Sequence, residues 1–424
     1  MYSNWASLED LKEKLVALNH DSEIKESGTP IMYDENNLYI KEGANSTLVI
    51  GSTGSGKTQS VLLPKARLAI KAGESMLIHD VKGEIHDILK DNLDKEGYNT
   101  LVINLDEPNK GEGFDILALP YKLYKEGNQD KACEILERIG HYFLTSERFN
   151  PNSDPFWENS ARSLFVGLGL YLFENGKEDE ITINKIFELS TELDKIAESV
   201  KELPKSSAIY MNLASIILAP SETKGSIVSV FGQNLRVFTA KEQLSKLLST
   251  KTFNLEDICS KKTAIFIVSN NNMASQRLVP LIIDEIYSVL ALNNNKERFN
   301  ILIDEFESLI QIKEFDKMLS LSRSYNISIT VFVRSLLELR NVYGKEKVEI
   351  IKMNFAIIMY LMANDIETLE EISKLCGNKK ENDTIEPLIS VEELKLLDTF
   401  EAIVLIPRMR PIRTKLLADY KVNW

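Results

Sequence analysis

"LVIGSTGSGKTQS", residues 48–60, begins as an apolar run and breaks into glycines before a lysine and a threonine. Gly51-Ser52-Thr53-Gly54-Ser55-Gly56-Lys57-Thr58 satisfies G-x-x-x-x-G-K-[ST] and lies between a strand-like and a helix-like segment, the context that such a match requires. Glycines let the backbone curl until successive N–H groups point inward, and the helix N-terminus behind them adds partial positive charge. The product is a nest for the phosphates of ATP. Lys57 places a full charge on the β- and γ-phosphates, and the Thr58 hydroxyl is a ligand for Mg²⁺.

The flanking sequence sets the fold class. After "STLVI" and the loop come a helix over "TQSVLLPKARLAIKAG" closed by Gly73, the strand "SMLIHD", a charged helix and the strand "NTLVINLD". This βαβ rhythm predicts an α/β fold with a mostly parallel sheet. Upstream, "IMYDENNLYIK" reads as a hairpin. Between residues 119 and 250 strand signals give way to amphipathic helical segments such as "DKACEILERIGHYFL" and "SSAIYMNLASIIL", which predict an inserted all-α domain. Strands return in "TAIFIVSN", "FNILIDEF", "ISITVFVRS" and "FAIIMYLMA", and "EAIVLIPRMRPIRTKLLADY" closes the chain as a strand pair joined at Pro411. The expected organisation is a lead-in over 1–45, a nucleotide-binding domain over 46–118 and 251–424, and the helical insertion over 119–250.

Composition narrows the class. The 424 residues are 44% hydrophobic and 27% charged, ordinary for a globular protein. Cys133, Cys259 and Cys376 lie far apart, which argues against a disulfide framework. His20, His79, His86 and His141 form no metal-binding cluster. "SLFVGLGLYLF", 163–173, is too short to span a bilayer and reads as a buried helix, so a cytosolic protein is expected. A net charge of −13 argues against a nucleic-acid coat but allows a local basic channel.

Hydrolysis needs an acidic element on a neighbouring strand, and "LIIDE", 281–285, and "ILIDE", 301–305, both offer one. The first follows Pro280, a favoured first helical position, and its apolar spacing is helical. Asp284 and Glu285 then read as ordinary residues near the positive end of a helix dipole. The second copy follows the turn "NNNKERFN" as a continuous apolar run, as a buried parallel strand should. Asp304 is assigned to Mg²⁺ and Glu305 to orienting and polarising the attacking water. Arg323 lies about a dozen helical residues further on, roughly 18 Å from the strand end. It is either an arginine finger supplied to a neighbouring copy or a solvated arginine near a helix C-terminus. Arg334 ends the next strand, where it either senses the γ-phosphate or pairs with a carboxylate.

Several further stretches carry a resemblance. "HDVKGEI" at 79–85, "DPFWENSARSLFVGLGLYL" at 154–172, "PSETKGSIVSVFGQNLRVF" and "VRSLLELRNVYG" at 333–344 resemble, in order, segments of the type IV secretion coupling proteins, the conjugative DNA-transfer ATPases. "SNWASLEDL" near the start is similar to the stretch that follows their membrane helices. The resemblance implies a RecA-like core with an inserted all-α domain, hexameric when active and possibly monomeric in isolation. It implies placement at the inner face of the cell membrane, beside a membrane subunit and other secretion ATPases, with a relaxase–DNA complex, single-stranded DNA or protein as cargo. The family's loop lysine and threonine fall on Lys57 and Thr58, its acidic pair on Asp304 and Glu305, and its trans-acting arginine on Arg323. Arg334 replaces the family's glutamine, and Val81 a proline. The family's membrane helices are missing, which fits either truncation or a naturally soluble member.

Basic residues cluster at Arg408, Arg410, Arg413 and Lys415 and in "GNKK", 377–380, as either solvated faces or DNA contacts. Two other functions share parts of this pattern: a ring ATPase that pumps DNA in another system, and a nucleotide-gated adaptor that recruits substrate and hydrolyses little.

Overall fold

The computed structural model describes residues 3–19, 22–34, 36–145, 154–270, 272–293, 297–381, 384–422 and 424. A small sheet comes first, from β1 (Val16–Leu18), β2 (Gly28–Tyr33) and β3 (Leu38–Glu42), with β3 central and antiparallel to both neighbours. The hairpin expected at 31–41 is thus two strands of three, its residue 35 outside the described residues. Next come β4 (Thr47–Gly51), β5 (Ser75–Asp80), β6 (Asn99–Asn104), β7 (Thr263–Val268), β8 (Phe299–Ile303), β9 (Ile327–Val333) and β10 (Ile357–Met362). Strands β11 (Asn378–Glu381) and β12 (Thr384–Pro387) form a separate antiparallel pair, and β13 (Glu401–Leu405) and β14 (Ile412–Lys415) end the series.

The main sheet has the order β14-β13-β10-β4-β9-β8-β5-β7-β6. From β10 to β7 the neighbours run parallel, while β13 and β14 add an antiparallel edge. Every residue of β4, β8 and β9 is buried, as expected of apolar runs covered on both faces. Val61, Leu62, Ala66 and Ala69, from the segment after the glycine loop, pack in one core with Val49, Met359 and Leu361. That segment opens as a π-helical turn, Thr58–Leu62, and continues as the helix Leu63–Lys71.

The fold divides into two compact units, one of residues 1–102, 255–269 and 286–424, the other of residues 103–254 and 270–285. These boundaries differ from those expected. The first 45 residues are no separate lead-in, because Leu11, Leu15, Ile31 and Tyr39 lie in the same core as the sheet. The second unit, in turn, takes in residues 103–118 and 270–285.

Among the described residues between 118 and 247 the regular elements of the second unit are all helices, the longest of them Pro155–Asn175. Asp154 caps it, accepting the Phe156 N–H at 2.9 Å, and Leu164 through Leu170 are buried. At Gly167 a side chain would stand 2.5 Å from Leu213, so the small residue lets the helix Ala208–Ile217 approach closely. Among the described residues no helix is long and apolar enough to cross a membrane.

The "LIIDE" reading needs correction. The helix there starts at Met273, not at Pro280, because Asn272 Oδ1 accepts the N–H groups of Ala274 and Ser275 at 3.0 and 3.1 Å. Pro280 is therefore interior, and Asp284 and Glu285 sit in mid-helix, far from the dipole end. Both are buried, with Asp284 accepting the Tyr142 hydroxyl at 2.6 Å. The turn expected before β8 includes residues 294–296, and these, like His20, lie outside the described residues.

Candidate functional site

The site collects at the C-terminal ends of three adjacent strands. In the order β4-β9-β8, the first delivers the glycine loop, the second Arg334 and the third Asp304 and Glu305. Open parallel sheets bind ligands at this edge, because the chain there leaves the ladder and side chains can converge. Gly54 and Gly56 adopt φ of +83° and +89°, values that bend the loop back before its helix. Lys57 Nζ donates to the carbonyls of Gly51 and Ser52, which folds the ammonium over the loop. The Ser52 and Ser55 hydroxyls are buried without hydrogen-bond partners among the described residues.

Burial opposes the ionisation of this cluster. It lowers the Lys57 pKa, while Asp304, Glu307 and Glu305 pull it back up. It raises that of Asp304 above the usual carboxylate range, opposed by Lys57. Glu305 occupies the left-handed region at φ +45°, a strained conformation for a non-glycine residue that turns the chain sharply out of β8. Its N–H donates to Asp304 Oδ1 at 3.0 Å.

Arg334 is paired with carboxylates, one of the two sequence readings for it. Its guanidinium lies 3.0 Å from Glu307, 3.5 Å from Glu305 and 3.9 Å from Glu338. Burial pushes Glu307 up to about 7, against the pull of Arg334. Glu307 escapes the sequence reading because it lies past the acidic pair in what looks like a polar turn.

His79 escapes it as well. On β5 it is fully buried, with Nδ1 2.8 Å from the Asp304 carbonyl and Nε2 2.9 Å from the Ser269 hydroxyl. A carbonyl only accepts, so Nδ1 carries the proton and Nε2 receives that of Ser269. Burial lowers its pKa to about 4, which keeps the ring neutral as a brace under Asp304. Next to it Asp80 turns its carboxylate to backbone, accepting Ile85 N–H at 2.8 Å and His86 N–H at 3.2 Å at the start of the helix Glu84–Lys95.

Arg323 is not brought to this cluster. It is exposed, at the C-terminal end of the helix Phe315–Ser322 and just before β9. The Ser322 hydroxyl is 3.4 Å from that of Ser46, the residue before β4, so Arg323 stands at the opposite edge of the sheet. Of the basic residues near the C-terminus, Arg408, Arg410, Arg413 and Lys415 are exposed, and Arg413 pairs with Glu401 at 2.6 Å.

The sequence matches, over residues 4–381, the family described as Type IV secretory system Conjugative DNA transfer. Protein VirD4 of Rhizobium rhizogenes is 23% identical over 418 residues, which cover 90% of this chain and 60% of that protein. Conjugal transfer protein TraG of Rhizobium radiobacter is 22% identical over 351 residues, 79% of this chain and 53% of that protein. The chain thus spans between about half and three-fifths of the length of these curated relatives. Among solved structures, the plasmid coupling protein TrwB in complex with ADP and Mg²⁺ superposes with a TM-score of 0.74 at 16% identity, over 99% of this chain and 94% of that one. The fold is that of a RecA-like α/β core with a helical domain.

Proposed function

The chain belongs to the type IV secretory system conjugative DNA transfer family, and from that premise we propose that it is a coupling ATPase, which spends ATP hydrolysis on moving a relaxase–DNA complex or a protein into a secretion channel. The observation that carries this reading is the adjacency of β4, β9 and β8, which sets the glycine loop, Arg334 and the Asp304–Glu305 pair at one edge. The TrwB complex with ADP and Mg²⁺ supports the choice of ligands.

In this reading the loop N–H groups and Lys57 hold the β- and γ-phosphates. The Thr58 hydroxyl and the Asp304 carboxylate fit Mg²⁺, which takes one or two protein oxygens and keeps waters and phosphate oxygens for the rest. When bound it neutralises charge on the phosphates. Glu305 orients and polarises the attacking water. Arg334, though paired with Glu307 and Glu305, stands at the strand end from which it also senses the γ-phosphate. Arg323, exposed and remote from its own loop, serves the site of a neighbouring copy, so the active species is a ring, a homo-hexamer. Single-stranded DNA, a relaxase, a membrane subunit and other secretion ATPases are its partners, at the inner face of the cell membrane.

The test is direct. Lys57→Ala and Glu305→Gln should each abolish ATP turnover, with the circular dichroism spectrum and thermal midpoint unchanged. Undiminished turnover in either variant removes the assigned site.

A further inference from the structure

The triphosphate site has one neighbour to which no role has been given. On the far side of β4 from β9 and β8 lie β10 and β13. Gly51, where the loop begins, is level with Met362 at the end of β10. Because β13 runs antiparallel to β10, pairing Ile403 with Tyr360, its first residues lie at that same edge. Phe400, just before β13, therefore stands beside the glycine loop. The contact is close: a side chain at Gly56 would meet the Phe400 ring at 2.6 and 2.8 Å.

The backbone of Phe400 has φ +69°, an outlier for a bulky aromatic residue, which glycine or asparagine would adopt more cheaply. The surroundings hold it there. Its carbonyl accepts the Leu416 N–H at 2.8 Å, and the Glu401 N–H closes a turn onto the Asp398 carbonyl at 2.9 Å. Glu401 in turn accepts the Asp398 N–H at 3.1 Å and Arg413 Nε at 2.6 Å. Strain this well supported is characteristic of functional positions.

Polarity along the sheet edge gives the ring its role. Asp304, Glu305 and Arg334 mark the side of the loop to which the terminal phosphate points. A nucleotide gripped by the loop with that end toward β8 and β9 carries its base toward β10 and β13. We propose that Phe400 is the platform on which the nucleoside base stacks, a base-binding residue opposite the hydrolytic cluster. This rests on the triphosphate reading of the loop and adds the base end to it. Every base presents a π-face, so a stacking platform accepts adenine and guanine alike.

Isothermal titration of the full chain with ATP, GTP and inorganic tripolyphosphate tests the proposal. Phe400→Gly removes the ring while easing the backbone. It should weaken ATP and GTP by roughly tenfold each and leave tripolyphosphate unchanged. ATP affinity equal to wild type, or an equal loss for tripolyphosphate, would make the ring a packing element and overturn the proposal. Phe400→Trp supplies a second measurement, since its added fluorescence should be quenched by ATP and not by tripolyphosphate. Quenching by both, or by neither, counts against stacking. A wild-type chain that binds neither ATP nor tripolyphosphate would remove the triphosphate reading and this inference with it, an outcome distinct from failure of Phe400 alone.

Discussion

The Arg334 guanidinium lies 3.0 Å from Glu307 and 3.5 Å from Glu305, so a single cation links a buried carboxyl to the residue assigned to the attacking water. Glu307 is pushed up to about 7, and only its charged form holds Arg334 electrostatically. ATP turnover should therefore rise from about pH 6 to about pH 8, and Glu307→Gln should flatten that limb. Arg334→Ala removes the cation and should lower turnover by roughly 100- to 1,000-fold at neutral pH. A pH–rate profile of kcat for both variants decides the matter, and a limb that persists in Glu307→Gln assigns it to another group.

Arg323 and the glycine loop lie at opposite ends of β4, a strand of five residues. At ~3.3 Å per residue the strand alone separates them by roughly 16 Å, beyond the reach of an arginine side chain. Complementation follows from that distance. Arg323→Ala and Lys57→Ala should each be inactive alone, yet an equal mixture should recover about a quarter of wild-type turnover, since one interface in four pairs an intact loop with an intact arginine. Assayed over a range of protein concentrations, a mixture that stays inactive would show that Arg323 does not act across a subunit boundary.

The legible parts of this fold were those in which one residue type has one physical use. Glycines before a lysine and threonine have little other reason to follow a buried strand, and "FNILI" is too apolar for a strand with a wet face. The parallel core and the cluster of Lys57, Asp304, Glu305 and Arg334 could therefore be read from the chain. His79, Glu307 and Phe400 could not, because each acquires its meaning from strands distant in sequence. The start of the helix through Pro280 is obscured for a local reason: proline favours a first helical position, whereas Asn272, upstream, caps this helix. The lead-in over 1–45 is not legible as part of the sheet unit, because nothing local in it shows that Leu11, Leu15, Ile31 and Tyr39 pack in the core of the sheet.

His79 braces Asp304 through its carbonyl at 2.8 Å and is itself fixed by Ser269 at 2.9 Å. His79→Phe fills similar space but leaves both oxygens unpaired, a cost of about 1–3 kcal/mol. The thermal midpoint should fall accordingly. A displaced Asp304 should also raise the Mg²⁺ concentration needed for half-maximal turnover. A lower midpoint with an unchanged Mg²⁺ requirement would limit His79 to stability.

Glu285 offers the last test, in the helical unit. It is 1% exposed, and its two carboxyl oxygens have no hydrogen-bond partner among the described residues. Burial pushes it up to about 8, with Arg138 favouring its charge and Asp284 and Asp115 opposing it. In the unfolded chain the same carboxyl titrates near ~4.3. Between those values the folded state keeps a proton that the unfolded state has released. The associated stability is thus full below the unfolded value and is lost as the pH rises to about 8. Glu285→Gln keeps the shape and removes the titration. The wild-type thermal midpoint should fall between about pH 5 and about pH 8, while that of the variant should change less and stand a few degrees higher at the alkaline end. Parallel curves for the two proteins would place the proton elsewhere.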